Sequence, residues 1–402
     1  MEKLEKLNFL NPVTIKQLTS KWPTPVYVYD ESTIIKRAKE ALNFPAPYGL
    51  TVRFAMKANP NPDILKILDR QGILFDASSG FEASLAIDAG IDPKKIMITT
   101  QEFPNNLKYL GDRGAQFNAS SLHQLDEYGK LFPNSCVGVR INPGLGTGHS
   151  GKTNTAGSAA SFGIWFEQIP ELLKIAEKYR LTIYRIHTHV GSGGDPKVWT
   201  KAAKLSLAQV EKLPDVTHLD LGGGFRVARM NYETTTDLQL VGNVINEEVV
   251  QFYKNTGRKL FLEIEPGTYL LANAGSLVTT IQDKCNTGKD GYEFLKLDCG
   301  MNDILRPSLY GAQHPMVVVN DRNRLQKYVV VGHCCESGDL LTPNHEDPNV
   351  LDERLLIEAE IGDKLVIEGV GAYCAHMSAH GYNSFPTTKE IIFKSNDLFI
   401  EA

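Results

Sequence analysis

TVRFAMKA, residues 51–58, is a short apolar run that ends on a lysine and an alanine, and seven further runs of this kind follow it. They are GILFDAS (72–78), KIMITT (95–100), AQFNAS (115–120), CVGVRIN (136–142), TIYRIHTHVGS (182–192), THLDLGGG (217–224) and KLFLEIEPG (259–267). Helix-like stretches such as NPDILKILDR, PELLKIAEKYR and NVINEEVVQFYKN separate them. Strand and helix alternating in this way predict a parallel (β/α)8 barrel of the TIM type. Such barrels carry their chemistry at the C-terminal ends of the strands. There Lys57, Asp76, Ser78, Asn118, Asn142, His189, Gly222, Gly223, Gly224 and Glu265 are predicted to converge. That convergence predicts an enzyme.

A barrel takes roughly 250 residues, so a chain of 402 leaves room for a second domain. After residue 270 the pattern changes to short β-branched runs (SLVTTIQD, EFLKLDCG, PMVVVN, KYVVVGHCC, DKLVIEG, EIIFKS) with little helical periodicity. The expected division is an N-terminal segment over 1–25 associated with the β domain, a barrel over 26–270, and a C-terminal antiparallel β domain over 271–402. TPVYVYD (24–30) reads as a strand whose partner is either the barrel or the later β-rich region. The Gly-, Ser- and Thr-rich stretch NPGLGTGHSGKTNTAGSAASFG (142–163) is too long for a routine βα loop and is expected to be functional.

Net charge is −5 and the basic residues are dispersed, so no nucleic-acid or membrane-surface partner is expected. MEKLEKLNFLNPV lacks the apolar core of a signal peptide, which predicts a cytoplasmic protein. The six cysteines show no CxxC spacing and predict neither a disulfide framework nor a zinc site; no metal is expected.

A lysine at the rim of a barrel is predicted to be desolvated, which favours its neutral, nucleophilic form; the competing reading is a lysine exposed just past a strand end. Gly222, Gly223 and Gly224 at a late strand end suit a phosphate, or a tight turn. Lysine and phosphate cradle together fit pyridoxal phosphate (PLP) or a sugar-phosphate aldolase. Glu265 favours PLP, because a carboxylate there could keep a pyridine nitrogen protonated and the ring electron-poor. His189 could stack on that ring or be a satisfied core residue. In CCESGD (334–339) Cys335 could donate a proton and Glu336 grip an ammonium, or the pair could simply open a turn.

From about residue 24 to 400, nine motifs in order make the chain resemble the PLP-dependent decarboxylases built on an alanine-racemase-like barrel, most of all the diaminopimelate decarboxylases. They are FAMKAN, DASSGFE, RINPG with GHSGKTNT, HTHVGSG, GGGF, EIEPG, DCGMNDILRPSLY, CCESGD and GAYCAHMSAHGYN. The resemblance implies a fold type III PLP enzyme. It further implies that Lys57 holds PLP covalently, His189 stacks on it, and Ser192, Gly222, Gly223, Gly224 and Tyr373 contact the phosphate. Glu265 would meet the pyridine nitrogen, and Arg306 and Tyr310 the substrate's distal carboxylate. Cys335 and Glu336 would come from the neighbouring subunit of a homodimer, with Glu336 and Tyr373 also against substrate. The implied reaction takes meso-2,6-diaminopimelate to L-lysine and CO2, the last step of lysine biosynthesis.

Two departures bear on substrate. The family reads E-P-G-R where this chain has Thr268, and MSAHGYN is one residue longer than usual before Tyr382. An arginine can form a bidentate contact with a carboxylate and threonine cannot. The alternative is therefore decarboxylation of D-lysine, D-ornithine or a related amino acid. A racemase is disfavoured by Glu265, and a silent scaffold by the joint presence of Lys57, His189, the glycines, Glu265 and Cys335.

Overall fold

The computed structural model describes residues 4–145, 156–189, 193–394 and 398–401, and the chain forms two compact units. One holds Ile35–Arg226 and Thr234–Leu270; the other holds Met1–Ile34, Val227–Glu233 and Leu271–Ala402.

The first unit is the expected barrel. Strands Leu50–Ala55, Leu74–Ala77, Ile96–Thr99, Gln116–Ala119, Cys136–Asn142, Thr182–His187, His218–Asp220 and Phe261–Ile264 pair in parallel around a closed circuit. Asn118 opposite Gly138 joins the fourth to the fifth, and Leu262 opposite Leu50 closes the eighth on the first. The helix Pro62–Arg70 shows why the intervening stretches coil. Asn61 caps it by accepting from the N–H groups of Asp63 and Ile64, and Pro62 occupies the first turn, where its missing N–H costs nothing. Ile64, Leu65, Ile67 and Leu68 then fall on one buried face, each stabilising the fold by roughly 1.5–3 kcal/mol.

The barrel interior is unusually polar. Side chains two apart share a face of a strand, so Arg53, Asn118, Arg185, His187, Asp220, Glu263 and Glu265 are all buried. Gly138 makes room for this layer, since a Cβ there would lie 2.6 Å from Asn118 Oδ1.

The second unit is built on a nine-stranded mixed sheet. The strand Val26–Asp30 belongs here, not to the barrel as the 26–270 division had it. It pairs antiparallel with Gly275–Asn286 and parallel with Lys389–Lys394. The reason is geometric: a closed eight-stranded barrel has no free edge, whereas VYVYD is buried at every position and needs neighbours on both sides. Glu293–Leu297 with Leu325–Val331 is a second parallel pairing, so the sheet departs from the purely antiparallel expectation. Strands Arg354–Ile357 and Leu398–Glu401 had no counterpart among the expected runs. The helix Pro12–Lys21, started by a reciprocal cap between Asn11 and Thr14, contributes Ile15 and Leu18 to a core with Trp22, Val28, Val278, Val366, Ile391 and Phe399.

Glu368 ties the N-terminal segment to this sheet. It is fully buried, accepting from Asn8 N at 3.1 Å and Ser276 Oγ at 2.6 Å. Burial pushes its carboxyl up to about 7. A carboxyl raised on folding costs nothing below the unfolded value near 4.3, and an increasing amount as pH rises to 7. Glu368→Gln is therefore expected to stabilise this unit against thermal unfolding by only about 1 kcal/mol at pH 5. At pH 8 it should stabilise by about 3–4 kcal/mol. Equal gains at both pH values would refute this account.

Candidate active site

Lys57 lies in a single 3-10 turn, Met56–Ala58, directly after the first barrel strand. It is exposed, so the expectation of a desolvated lysine is corrected: Met56 and Ala58 are the buried pair, and the intervening side chain points out to solvent. Its charge is nonetheless felt at the strand ends, where it lowers the carboxyls of Asp76 and Glu265 and disfavours protonation of His189. Lys57, Asp76, His189 and Glu265 thus share one end of the barrel.

Beneath them lies a buried ionic network. Arg185, with no solvent exposure, contacts Asp220 closely and approaches Glu263 at 3.2 Å and Glu265 at 3.3 Å. Arg53 completes it with an Nε bond of 2.8 Å to Glu263. Burial opposes the Arg185 charge, but Glu263, Asp220 and Glu265 outweigh it and raise the guanidinium above its ordinary value. Burial likewise works against ionised Glu263, yet Arg185 and Arg53 win and hold that carboxyl low. Asp220 is pushed up by burial and then by Glu265, and Glu265 by burial and then by Asp76. Asp76 itself is raised by burial to about 6. His187 Nε2 lies 3.6 Å from Glu265, and the ring is kept neutral by burial and by Arg140. His187, Asp220 and Glu265 offer ligand atoms within 4.8 Å of one another, but Arg185 already supplies the cation for these carboxylates.

The glycine triplet is held against the same groups. Gly222 N donates to Asp220 Oδ1 at 2.7 Å, and Glu265 N donates to Gly222 O at 2.8 Å. Gly223 N donates to His189 Nδ1 at 3.2 Å, which places the ring proton on Nε2. Burial, then Arg140 and Lys57, push His189 down to about 3, so it presents a neutral ring. Gly222 has φ +72, and a Cβ there would lie 2.2 Å from His189 Nδ1. At Gly223 it would meet Glu265 O at 2.3 Å. No side chain fits at either position.

The remaining candidates belong to the second unit. Arg306 and Tyr310 bracket the short helix Arg306–Tyr310, with the guanidinium carbon 6.0 Å from the Tyr310 ring centroid. Cys335 is exposed and its N–H donates to Asn383 Oδ1 at 2.8 Å. Glu336 accepts from Gly338 N at 3.1 Å, and that bond foremost holds its carboxyl below the ordinary range. Tyr382 OH donates to Glu336 Oε2 at 3.4 Å, a contact the sequence reading missed. Tyr373 has φ +59, an uncommon backbone for an aromatic residue and a form of strain that clusters at functional sites. Ser192 and the GHSGKTNT loop lie outside the described residues. Asn142, which anchors the base of that loop, accepts from Gly144 N and Gly157 N at 3.1 and 2.9 Å.

The barrel end fits a flat aromatic cation bearing a phosphate. Asp76 Oδ1, Asn118 Oδ1 and His187 Nε2 are buried polar atoms without hydrogen-bond partners. Together with a neutral ring at His189, an acid at Glu265 and side-chain-free backbone at Gly222 and Gly223, they form a set of polar groups, acceptors among them, suited to pyridoxal phosphate.

Comparison with known proteins agrees. The pyridoxal binding domain of the pyridoxal-dependent decarboxylases matches residues 31–272. Diaminopimelate decarboxylase of Escherichia coli strain K12 is 33% identical over 396 residues, 96% of this chain and 92% of that protein. A crystal structure of a diaminopimelate decarboxylase superposes with a TM-score of 0.90 at 31% identity, covering 99% of this chain and 96% of the other. That of the Helicobacter pylori enzyme complexed with L-lysine gives 0.82 at 27% identity over 96% and 95%.

Proposed function

The chain belongs to the pyridoxal-dependent decarboxylases and, within them, to the diaminopimelate decarboxylases; from that premise we propose which of its groups perform which step. The enzyme converts meso-2,6-diaminopimelate to L-lysine and CO2. PLP, when bound, supplies an electron sink for the pair left behind as CO2 departs. The observation that carries the assignment is the meeting of Lys57, neutral His189, the glycine triplet and buried Glu265 at one end of the barrel.

Lys57 would hold the cofactor through Nζ, a nucleophile in its unprotonated form. His189, kept neutral by burial and by Arg140, offers a ring face. Gly222, Gly223 and Gly224 would leave side-chain-free room for the phosphate, the N–H groups of the first two being held by Asp220 and His189, and Ser192 and Tyr373 would meet it. Glu265 would accept the pyridine N–H; a cation there would offset the burial that raises this carboxyl. Arg306 and Tyr310 hold the distal carboxylate. Cys335 Sγ returns a proton to the carbon that lost CO2, and Glu336, an ionised carboxylate, grips the substrate ammonium. The exposure of Cys335 and Glu336 suits a pair that completes its site in a homodimer. A biosynthetic role of this kind places the enzyme in the cytoplasm, and no helix among the described residues is long and apolar enough to cross a membrane.

The test is CO2 release from purified protein with PLP, offered meso-diaminopimelate, L-lysine, D-lysine and D-ornithine in parallel. Release from meso-diaminopimelate alone is expected. Release chiefly from a D-diamino acid would make Thr268 the mark of a changed substrate and overturn the reading.

A further inference from the structure

Within the second unit, Arg229 and Arg306 act on each other as like charges, and neither has a salt bridge among the described residues. Arg229 lies in the short segment Val227–Glu233 that crosses into this unit. Its Nε donates to Gly369 O at 2.8 Å. Its Nη2, like Arg306 Nε, is shielded from solvent and has no hydrogen-bond partner. Burial and then the like charge of Arg306 push the Arg229 guanidinium down to about 9. An arginine does not give up its proton at working pH, so the pair carries this repulsion as such.

The neighbouring groups offset it only in part, Glu233 counting for less at Arg229 than burial and Arg306. The Glu233 carboxylate is engaged by the backbone N–H groups of Arg229 and Met230, at 2.7 and 3.0 Å. Burial pushes the Cys374 thiol up to about 11 despite both arginines, so it stays uncharged. His314 is buried with Nδ1 3.0 Å from Glu368 O, and burial followed by Arg229 and Arg306 holds it neutral. Two half-buried arginines therefore carry like charges that act on each other, each with a shielded, unused N–H group.

Gly369 is built to admit Arg229. Its φ is +71, and a Cβ would lie 2.9 Å from Arg229 Cγ and 3.1 Å from Cδ. Only glycine leaves room for the arginine stem.

We propose that Arg229 is a specificity residue, forming with Arg306 a two-guanidinium site for the substrate's distal carboxylate. This rests on the diaminopimelate reading above. One carboxylate can accept from both guanidinium groups, and charge-assisted bonds of this kind are the strong ones.

In Arg229→Met holoenzyme, KM for meso-diaminopimelate is expected to rise about 10- to 100-fold, with kcat changed by less than about threefold. Binding of pimelate, a seven-carbon dicarboxylate probe, measured by titration calorimetry on the holoenzyme, should weaken by a similar factor. Arg229→Lys keeps a charge without the planar fork and should recover part of both losses. A residue that only braced Gly369 would lower the melting temperature and kcat while leaving KM and pimelate affinity unchanged, and that result would overturn the proposal. If Arg229→Met does not fold, Arg229→Lys alone decides: unchanged KM and pimelate affinity sink the idea. Wild-type protein that binds pimelate but releases no CO2 from meso-diaminopimelate would refute the substrate reading while leaving the anion site standing.

Discussion

Lys57→Ala is expected to lower CO2 release by at least about 10³-fold, the scale on which enzymes lose a group that forms a covalent bond and transfers a proton. In the wild-type protein, borohydride should fix the cofactor irreversibly to the peptide carrying Lys57. In the variant no fixed cofactor should remain. Lys57→Arg separates chemistry from charge: it keeps a cation near Asp76 and Glu265, whose carboxyls Lys57 draws down, but a guanidinium stays protonated and is no nucleophile. If the role of Lys57 were electrostatic, arginine would restore much of the rate. No restoration is expected, and substantial activity in Lys57→Arg would remove Lys57 from its assigned role. The exposure of this lysine in the structure fits such a role, since the amine must reach both cofactor and substrate.

The barrel strands were legible because strands buried on both faces read as short continuous apolar runs, and helical stretches separated all eight. Lys57, His189, the glycines and Glu265 were legible because each stands at the end of such a run. The layer below them was not. In TIYRIH, Arg185 and His187 alternate with Tyr184 and Ile186, which reads as a strand with one wet face; here the polar face is inside. A usable signal existed: Arg53 and Arg185 on two strands are matched by Asp220 and Glu263 on two others, charges that balance only if they meet. VYVYD was ambiguous for a different reason. Its composition demands burial but does not say in which sheet, and long-range pairing with Gly275–Asn286 and Lys389–Lys394 decides it. Arg229 drew no notice because an arginine in a loop is ordinarily solvated, and only Arg306 and Gly369 give it meaning.

Arg185→Leu is expected to destabilise the barrel by about 3–5 kcal/mol at pH 8, because removing one member of a buried ionic group strands the others. Arg185 is fully buried among Asp220, Glu263 and Glu265; after its loss Arg53 still pairs with Glu263, but Asp220 and Glu265 keep only the charges of Arg140 and Lys57, with no ion pair to either among the described residues. The sign of the pH dependence follows from the carboxyls. Without the guanidinium, Asp220 and Glu265 move further above the unfolded values near 4, and Glu263, which Arg185 and Arg53 hold low, moves up towards them. The cost is then small below pH 4 and grows as pH rises through the folded values, so the variant should lie nearest wild type in acid and furthest at pH 8. Adding Asp220→Leu to Arg185→Leu removes the most tightly held partner and replaces both by apolar groups. The double variant should recover part of the loss, a coupling of about 0.5–3 kcal/mol for residues in direct contact. Cofactor retention separates stability from site chemistry. Glu265 loses the cation that opposes its protonation, so the folded Arg185→Leu barrel should hold PLP less tightly at pH 7, and Arg185→Lys should recover some of that affinity. A destabilisation of equal size at pH 5 and pH 8, with unchanged PLP affinity, would mean that Arg185 contributes packing volume and leaves the charge of Glu265 to other groups.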